Sequence, residues 1–249
     1  MEFRKKKIND PITVKRLSEE CKISYLLADL LVSRGIENFS DAQKYLYGTA
    51  EDFNSPYLFP DLTEIIARIK KAFENDEKII VYGDYDCDGV GATAILTLAC
   101  KEHGITLNHY IPTRAKEGYG LNRDAIRFIS EKFSPDLMIT VDCGINSVEE
   151  VALAKEIGMD VIVTDHHQPG EILPDCPIMN PFLAAGSSPL CGAGVVFTLV
   201  SALFGIKTAM HYVDICAVST LADIVPLTGD NRLIVRYGME AIRKGRCLL

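Results

Sequence analysis

Between Lys78 and Thr164 four short runs of β-branched and aliphatic residues alternate with stretches patterned as helices, and nothing else in the chain restricts the fold as much. The runs are 78–82 (KIIVY), 105–111, 137–141 (LMITV) and 160–164 (DVIVT). Short, mostly apolar segments of this kind suit strands covered on both faces. The spacing predicts helices from Val90 to His103 ahead of Gly104, from Arg123 to Lys132 behind Asn122, and from Val148 to Ile157 between Ser147 and Gly158. A βαβαβαβ series predicts an α/β fold, a parallel doubly wound sheet with flanking helices, because parallel neighbours need crossover connections that pack back onto the sheet.

Two other regions flank this series. Residues 1–60 read as a small helical lobe, with Leu26, Leu27, Leu30 and Leu31 at helical spacing, Gly35 as a stop, and Ser40 and Asp41 opening another helix. A boundary is expected near residue 60, after the proline-containing stretch 54–60. The second domain, 61–249, starts with Asp61 and Glu64 as a capping box for a helix that buries Ile65, Ile66, Ile69 and Phe73. Beyond Pro174 the pattern is helical over 194–204, 209–221 and 232–244. The short tail after the last helix reads as a cut, so the chain is expected to be part of a longer protein or a naturally short relative.

Charge and cysteine content exclude several classes. With 26 Lys and Arg against 34 Asp and Glu, the net charge of −8 argues against a broad basic face for nucleic acid. The eight cysteines contain no C-x-x-C pair, which excludes a zinc ribbon or redox pair and predicts reduced, mostly buried thiols. No apolar run approaches the roughly 20 residues needed to span a bilayer, and no signal peptide opens the chain, so a cytoplasmic protein is expected.

In an open parallel sheet, ligands bind beyond the carboxyl ends of the strands. The first strand is followed by Gly83–Gly89 (GDYDCDG), the second by Pro112, Thr113 and Arg114, the third by Asp142, Cys143 and Gly144, and the fourth by Asp165, His166 and His167. Converging carboxylates disfavour one another's charged forms, so cations are the natural compensation. Oxygen ligands with one or two imidazoles suit Mn²⁺ or Mg²⁺. Two such ions about 3.5 to 4 Å apart, sharing a carboxylate, activate water for in-line attack on phosphorus. Asp142 alone would be an ordinary strand-end acid, and His103, His109 and His211 read as packed or surface residues.

Other readings of the same residues explain less. Asp84, Asp86 and Asp88 open like a calcium loop, but Ile95 stands where that loop needs a bidentate Glu. Residues 86–90 (DCDGV) imitate the nucleophile motif of haloacid-dehalogenase-like phosphatases, a reading that assigns no role to Asp165, His166 and His167. No G-x-x-x-x-G-K-[ST] loop supports a nucleotide triphosphatase. Cys87 and Cys143 each adjoin a carboxylate and are expected to point away from it.

GDYDCDG at 83–89, VDCGI at 141–145, VTDHHQPG at 163–170 and LADIVPL at 221–227 occur in an order and spacing that resemble the DHH phosphoesterase superfamily, named for the triplet seen here at 165–167. GYGLN at 118–122 and CGAGVVF at 191–197 most resemble its branch of exonucleases that degrade single-stranded DNA from the 5′ end. The resemblance implies a first metal on Asp84 and Asp86 with Asp142 bridging, and a second on Asp88, Asp142, His166 and Asp223. It implies that His167 and Arg114 contact phosphate and that Asp165 orients a histidine. Asp86, Asp88, Asp142, His166 and His167 would then be the catalytic set, with Mn²⁺ or Mg²⁺ as cofactor and single-stranded DNA as partner. Asp223 is implied by the resemblance alone. Tyr82 departs from other branches, which carry a histidine ligand two residues before the first Asp. Members of that branch carry a second catalytic lobe and an oligonucleotide-binding barrel beyond this region. The alternatives are a hydrolase of short oligonucleotides, cyclic dinucleotides or pyrophosphate, and a non-enzymatic metal-dependent binding protein. Phosphate contacts near the site reduce to Arg114, Lys116, Arg123 and Arg232, so weak, salt-sensitive DNA binding is expected.

Overall fold

The computed structural model describes residues 9–113 and 120–245. The chain divides into two compact units, 1–53 and 54–249. The first unit contains α1 (Pro11–Cys21), α2 (Tyr25–Val32) and α3 (Phe39–Tyr47). Asp10 caps α1 by accepting from the amides of Ile12 and Thr13, and Pro11, which has no amide hydrogen to satisfy, occupies the first position. The core of this unit is formed by Val14, Leu17, Ala28, Leu31, Ile36 and Ala42. The leucine spacing of α2 is only partly used: Leu31 is buried, whereas Leu26 is 69% exposed, because Ala28 takes the inward position. Asn38, ahead of the predicted Ser40 start, caps α3 by accepting from the Asp41 amide.

In the second unit α4 (Leu62–Glu74) precedes β1 (Ile79–Tyr82), α5 (Cys87–Glu102), β2 (Asn108–Tyr110), α6 (Arg123–Phe133), β3 (Leu137–Val141), α7 (Val148–Glu156), β4 (Asp160–Thr164) and β5 (Ile178–Met179). After these come α8 (Gly192–Phe204), the short α9 (Ile206–Ala209), α10 (Val213–Ala222) and α11 (Gly229–Arg243). The strands form one sheet in the order β2-β1-β3-β4-β5. Every pairing is parallel, as the alternating pattern predicts. β1, β3 and most of β4 are buried, which is why they read as unbroken apolar runs. β2 lies at an edge and shrinks to three partly exposed residues, and β5, at the other edge, is too short to leave a sequence signal.

One face of the sheet packs Ile80, Tyr82, Met138 and Val163 against Ile126 and Ile129 of α6 and Val151 and Ala154 of α7. Each fully buried aliphatic side chain here contributes about 1.5 to 3 kcal/mol relative to exposure. α10 and α11 approach closely at Gly238, where a Cβ would lie 2.3 Å from that of Ala217. Two helix starts differ from expectation. Asp61 makes no capping bond; its Oδ2 instead accepts from the Ile178 amide and ties the α4 entrance to β5. α5 begins at Cys87 rather than Val90, since Asp86 is its cap, and Asp88 therefore sits in the first helical turn. Among the described residues no helix is long and apolar enough to cross a membrane.

Sheet order reverses between β1 and β3, since β2 returns to one side and β4 continues on the other. Such a switch point opens a crevice outside the carboxyl ends of the two strands. The loops after β1, β3 and β4 all reach it.

Candidate metal centre

Each loop presents its acid by a different local device. After β1, Asp84 is buried, and Asp86 caps α5 by accepting at Oδ1 from the amides of Asp88 (2.9 Å) and Gly89 (3.0 Å). After β3 the backbone turns sharply at Asp142, with φ +62°, a left-handed conformation that Asp and Asn tolerate better than other side-chain-bearing residues. After β4, Asp165 acts as a hub. Its Oδ2 accepts from the Ile145 amide (2.9 Å), and its Oδ1 accepts from the amides of His166 (2.7 Å) and His167 (3.1 Å). That same Oδ1 lies 2.7 Å from His167 Nδ1, which fixes the imidazole by one nitrogen.

These devices bring the predicted ligands together. Ligand atoms of Asp84, Asp86 and Asp142 lie within 4.8 Å of one another, as do those of Asp88, His166 and Asp223, and those of Asp142, His166 and His167. Asp142 thus belongs to a group on each side. His166 Nε2 is 3.1 Å from Asp142 Oδ1 and 3.7 Å from Asp88 Oδ2, and its Nδ1 is 3.7 Å from Asp223 Oδ2. Arg114 and Lys116 lie outside the described residues. Arg123 pairs with Glu149 at 3.3 Å.

The electrostatics call for positive charge. Burial, with Asp88 and Asp86 nearby, pushes the Asp142 carboxyl up to about 10. Burial also raises Asp84 and Asp223 above the usual carboxylate range. Asp165 behaves oppositely: burial alone would raise it, but the hydrogen bonds from His167 and Ile145 hold it below its ordinary value. The bond to Asp165 in turn raises His167. Asp84 Oδ1 and Asp142 Oδ1 are buried and accept no hydrogen bond, with His166 Nε2 standing 3.1 Å from the latter. Buried carboxylate oxygens without donors are costly, and divalent cations would satisfy them. The donor set, oxygen-rich with imidazole, fits Mn²⁺ or Mg²⁺.

Tyr82 is not among the converging groups. Its ring is buried in the core, 5.6 Å from that of Tyr110, and its hydroxyl donates to the Gly120 carbonyl at 3.2 Å. Cys143 is buried, its Sγ directed to the Tyr82 carbonyl at 3.8 Å, and burial raises its thiol far above the ordinary range, so no thiolate is offered to the centre. Cys87 is exposed.

Three contributors were not foreseen from side-chain chemistry. The first amides of α8 hold Asp88, with Gly192 N donating to Oδ2 at 2.6 Å and Ala193 N to Oδ1 at 2.9 Å. A helix N-terminus is a favourable seat for a carboxylate, and the two amides fix the position of the Asp88 side chain. Only glycine fits at 192, since a Cβ there would fall 2.6 Å from the Asp142 Cβ. The third is Asn180, fully buried, whose Nδ2 donates to the His167 carbonyl at 2.9 Å. The glycine pair in CGAGVVF was the available signal for the close approach; Asn180 left none.

A parallel sheet whose switch point gathers carboxylates and two imidazoles around a shared aspartate defines an α/β protein with a metal-binding crevice. The model of the DHH family, N-terminal domain, matches residues 78–225, and the chain belongs to the DHH family. It is similar to the single-stranded-DNA-specific exonuclease RecJ of Bacillus subtilis, 43% identical over 240 residues, which are 94% of this chain and 30% of that one. RecJ of Thermus thermophilus is 39% identical over 199 residues, 77% of this chain and 30% of its own. Among solved structures, RecJ from Thermus thermophilus in complex with Mn²⁺ superposes with a TM-score of 0.80 at 29% identity, over 95% of this chain and 34% of that one. A manganese-bound exonuclease RecJ gives 0.70 at 38% identity, over 75% and 50% of the two chains. The chain therefore spans about a third of the length of the curated relatives it matches.

Proposed function

We infer that this chain carries the catalytic centre of a metal-dependent phosphodiesterase that hydrolyses single-stranded DNA, in the 5′-to-3′ direction, as a RecJ-type exonuclease. The observation that carries the reading is Asp142: one buried, strained, donor-starved carboxylate shared by an aspartate group on one side and a histidine-containing group on the other. Asp84, Asp86 and Asp142 would hold one divalent cation, and Asp88, Asp142, His166 and Asp223 the other. Mn²⁺ or Mg²⁺ bound there would acidify a water and offset charge on the phosphate oxygens. The chain's own residues supply the rest. The α8 amides hold Asp88 in place, and Asp165 keeps His167 oriented and readily protonated, which suits a donor to a phosphate oxygen. Arg114 is assigned to phosphate on the resemblance alone. The free cysteines among the described residues suit a reducing compartment, and the cytoplasm is the location this reading takes.

A second reading, hydrolysis of short oligonucleotides instead of long strands, draws support from the net charge of −8 and from the pairing of Arg123 with Glu149. End-labelled single strands, duplexes and dinucleotides incubated with Mn²⁺, with EDTA as control, separate the readings. Release of mononucleotides from the 5′ end of single strands is expected. Cleavage of dinucleotides alone would favour the second reading, and cleavage that persists in EDTA would remove the metal mechanism.

A further inference from the structure

Beside the carboxylate cluster lies a cavity of about 240 Å³ whose chemistry is the opposite of its neighbour's. Pro181, Phe182, Pro189, Leu190 and Val225 form its walls, and His166 is where it meets the metal centre. It has no carboxylate in its lining, although three, Asp88, Asp142 and Asp223, lie within 3.7 Å of the His166 ring at its border. Serines 187 and 188 supply its polar atoms, and Ser188 Oγ is already engaged by Asn54 Nδ2 and the Asp230 amide. A neutral, mostly apolar recess next to a site for anionic phosphate calls for a ligand with one charged and one flat, uncharged part.

Phe182 is placed for such a ligand. It is 64% exposed at the cavity edge, on the short turn Pro181–Leu183, and its ring stacks on no other ring among the described residues. The turn is not loosely attached. Asn180 Oδ1 accepts from the Phe182 amide at 2.9 Å while its Nδ2 holds the His167 carbonyl. One buried side chain thus registers the aromatic edge against the histidine pair. Next to the lining residue Val225, Ile224 adopts φ +59°, a conformation a β-branched residue takes only when its surroundings impose it. The turn there separates Asp223, which faces His166, from Val225, which lines the cavity.

We propose that this cavity is a nucleobase subsite, in which the base of the nucleotide next to the scissile phosphate leaves its stack and lies against Phe182. The proposal rests on the phosphodiesterase reading for the identity of the substrate and deepens it. The cavity is smaller than the roughly 300 to 1,000 Å³ of pockets for drug-sized ligands, which suits a single ring system. His166 belongs both to the cavity lining and to the carboxylate cluster, so a base in the cavity would lie beside a phosphate at the centre. Base–aromatic stacking tolerates any base, since all have a π-face, so the subsite would select unpaired nucleotides without selecting sequence. A paired base, held in its duplex stack, could not enter.

The chain has no tryptophan, so Phe182→Trp puts a single indole at the cavity edge. With Mg²⁺ present, dAMP should quench its emission saturably, and deoxyribose 5-phosphate, which lacks the base, should do so at least tenfold more weakly. Calorimetry on Phe182→Ala should show dAMP affinity reduced about tenfold, the loss of one base–aromatic stack, with an unchanged melting temperature because the side chain lies outside the core. Equal quenching by the two ligands, or none, would overturn the subsite and leave the cavity to a polypeptide segment. Hydrolysis of bis(p-nitrophenyl) phosphate, a diester without a nucleobase, tests the chemistry separately. If it is absent while dAMP still quenches, the phosphodiesterase reading fails and the subsite stands.

Discussion

The two sides of the centre are built differently. On the α8 side, Asp88 has both oxygens held by helix amides, and the neighbouring Asp165 hub fixes the loop that carries His166 and His167. On the β1 side, Asp84 Oδ1 is buried without a donor, and Asp86 is exposed with one oxygen committed to capping α5. Asp142 joins the two. In the proposed two-cation centre, protein hydrogen bonds to both Asp88 oxygens would preorganise one position, while the other, where only part of the Asp84 carboxyl is held by backbone amides, would take more of its order from its ion. The α8-side position should therefore bind the tighter ion.

The largest effect is expected where the two sides meet. Asp142→Asn, which tolerates the left-handed backbone, should lower nuclease activity by about 10³-fold or more, corresponding to roughly 4 kcal/mol of lost transition-state stabilisation. Steady-state rates at saturating Mn²⁺ measure it, and a loss under tenfold would deny Asp142 its shared position. Gly192→Ala should come next. Its Cβ would strike Asp142 and displace the amides that hold Asp88, costing about 1 to 3 kcal/mol of stability together with the tighter cation site. Denaturant melts with and without Mg²⁺ would show whether the damage centres on the cation site. Asp165→Asn keeps the shape of the hub but removes its charge, so a 10- to 100-fold fall in metal affinity or activity is expected.

A smaller effect concerns the protein without cations. The folded-state Asp142 carboxyl titrates near 10, against about 4 in an unfolded chain, so between those values the folded state holds a proton that the unfolded state releases. Stability must then fall as pH rises through that window. Thermal melts in EDTA should decline toward alkaline pH in the wild type and decline less in Asp142→Asn. Parallel curves for the two proteins would assign the pH dependence to other groups.

How much of this was legible depended on which atoms act. The sheet, its parallel pairing and the loops that carry Asp84, Asp86, Asp88, Asp142 and the His pair could be read from the sequence, because buried strands leave apolar runs and strand ends carry the chemistry. Asp223 could not, since it follows a helix and owes its place to the packing of α10 on α5. Gly192 and Ala193 act through main-chain amides that every residue type but proline possesses, so their letters say little beyond a permitted close approach. Asp61 was legible as a cap and serves instead as an acceptor for β5, a tertiary contact that no local pattern records.

The shared position of Asp142 is tested most directly by calorimetric titration of Mn²⁺ into wild type, Asp84→Asn and Asp142→Asn. Wild type should bind two ions with unequal affinities. Asp84→Asn should lose the weaker ion and retain the tighter one, whereas Asp142→Asn should weaken both. Two ions bound normally by Asp142→Asn, or loss of both in Asp84→Asn, would contradict a centre with one preorganised side and one aspartate common to the two.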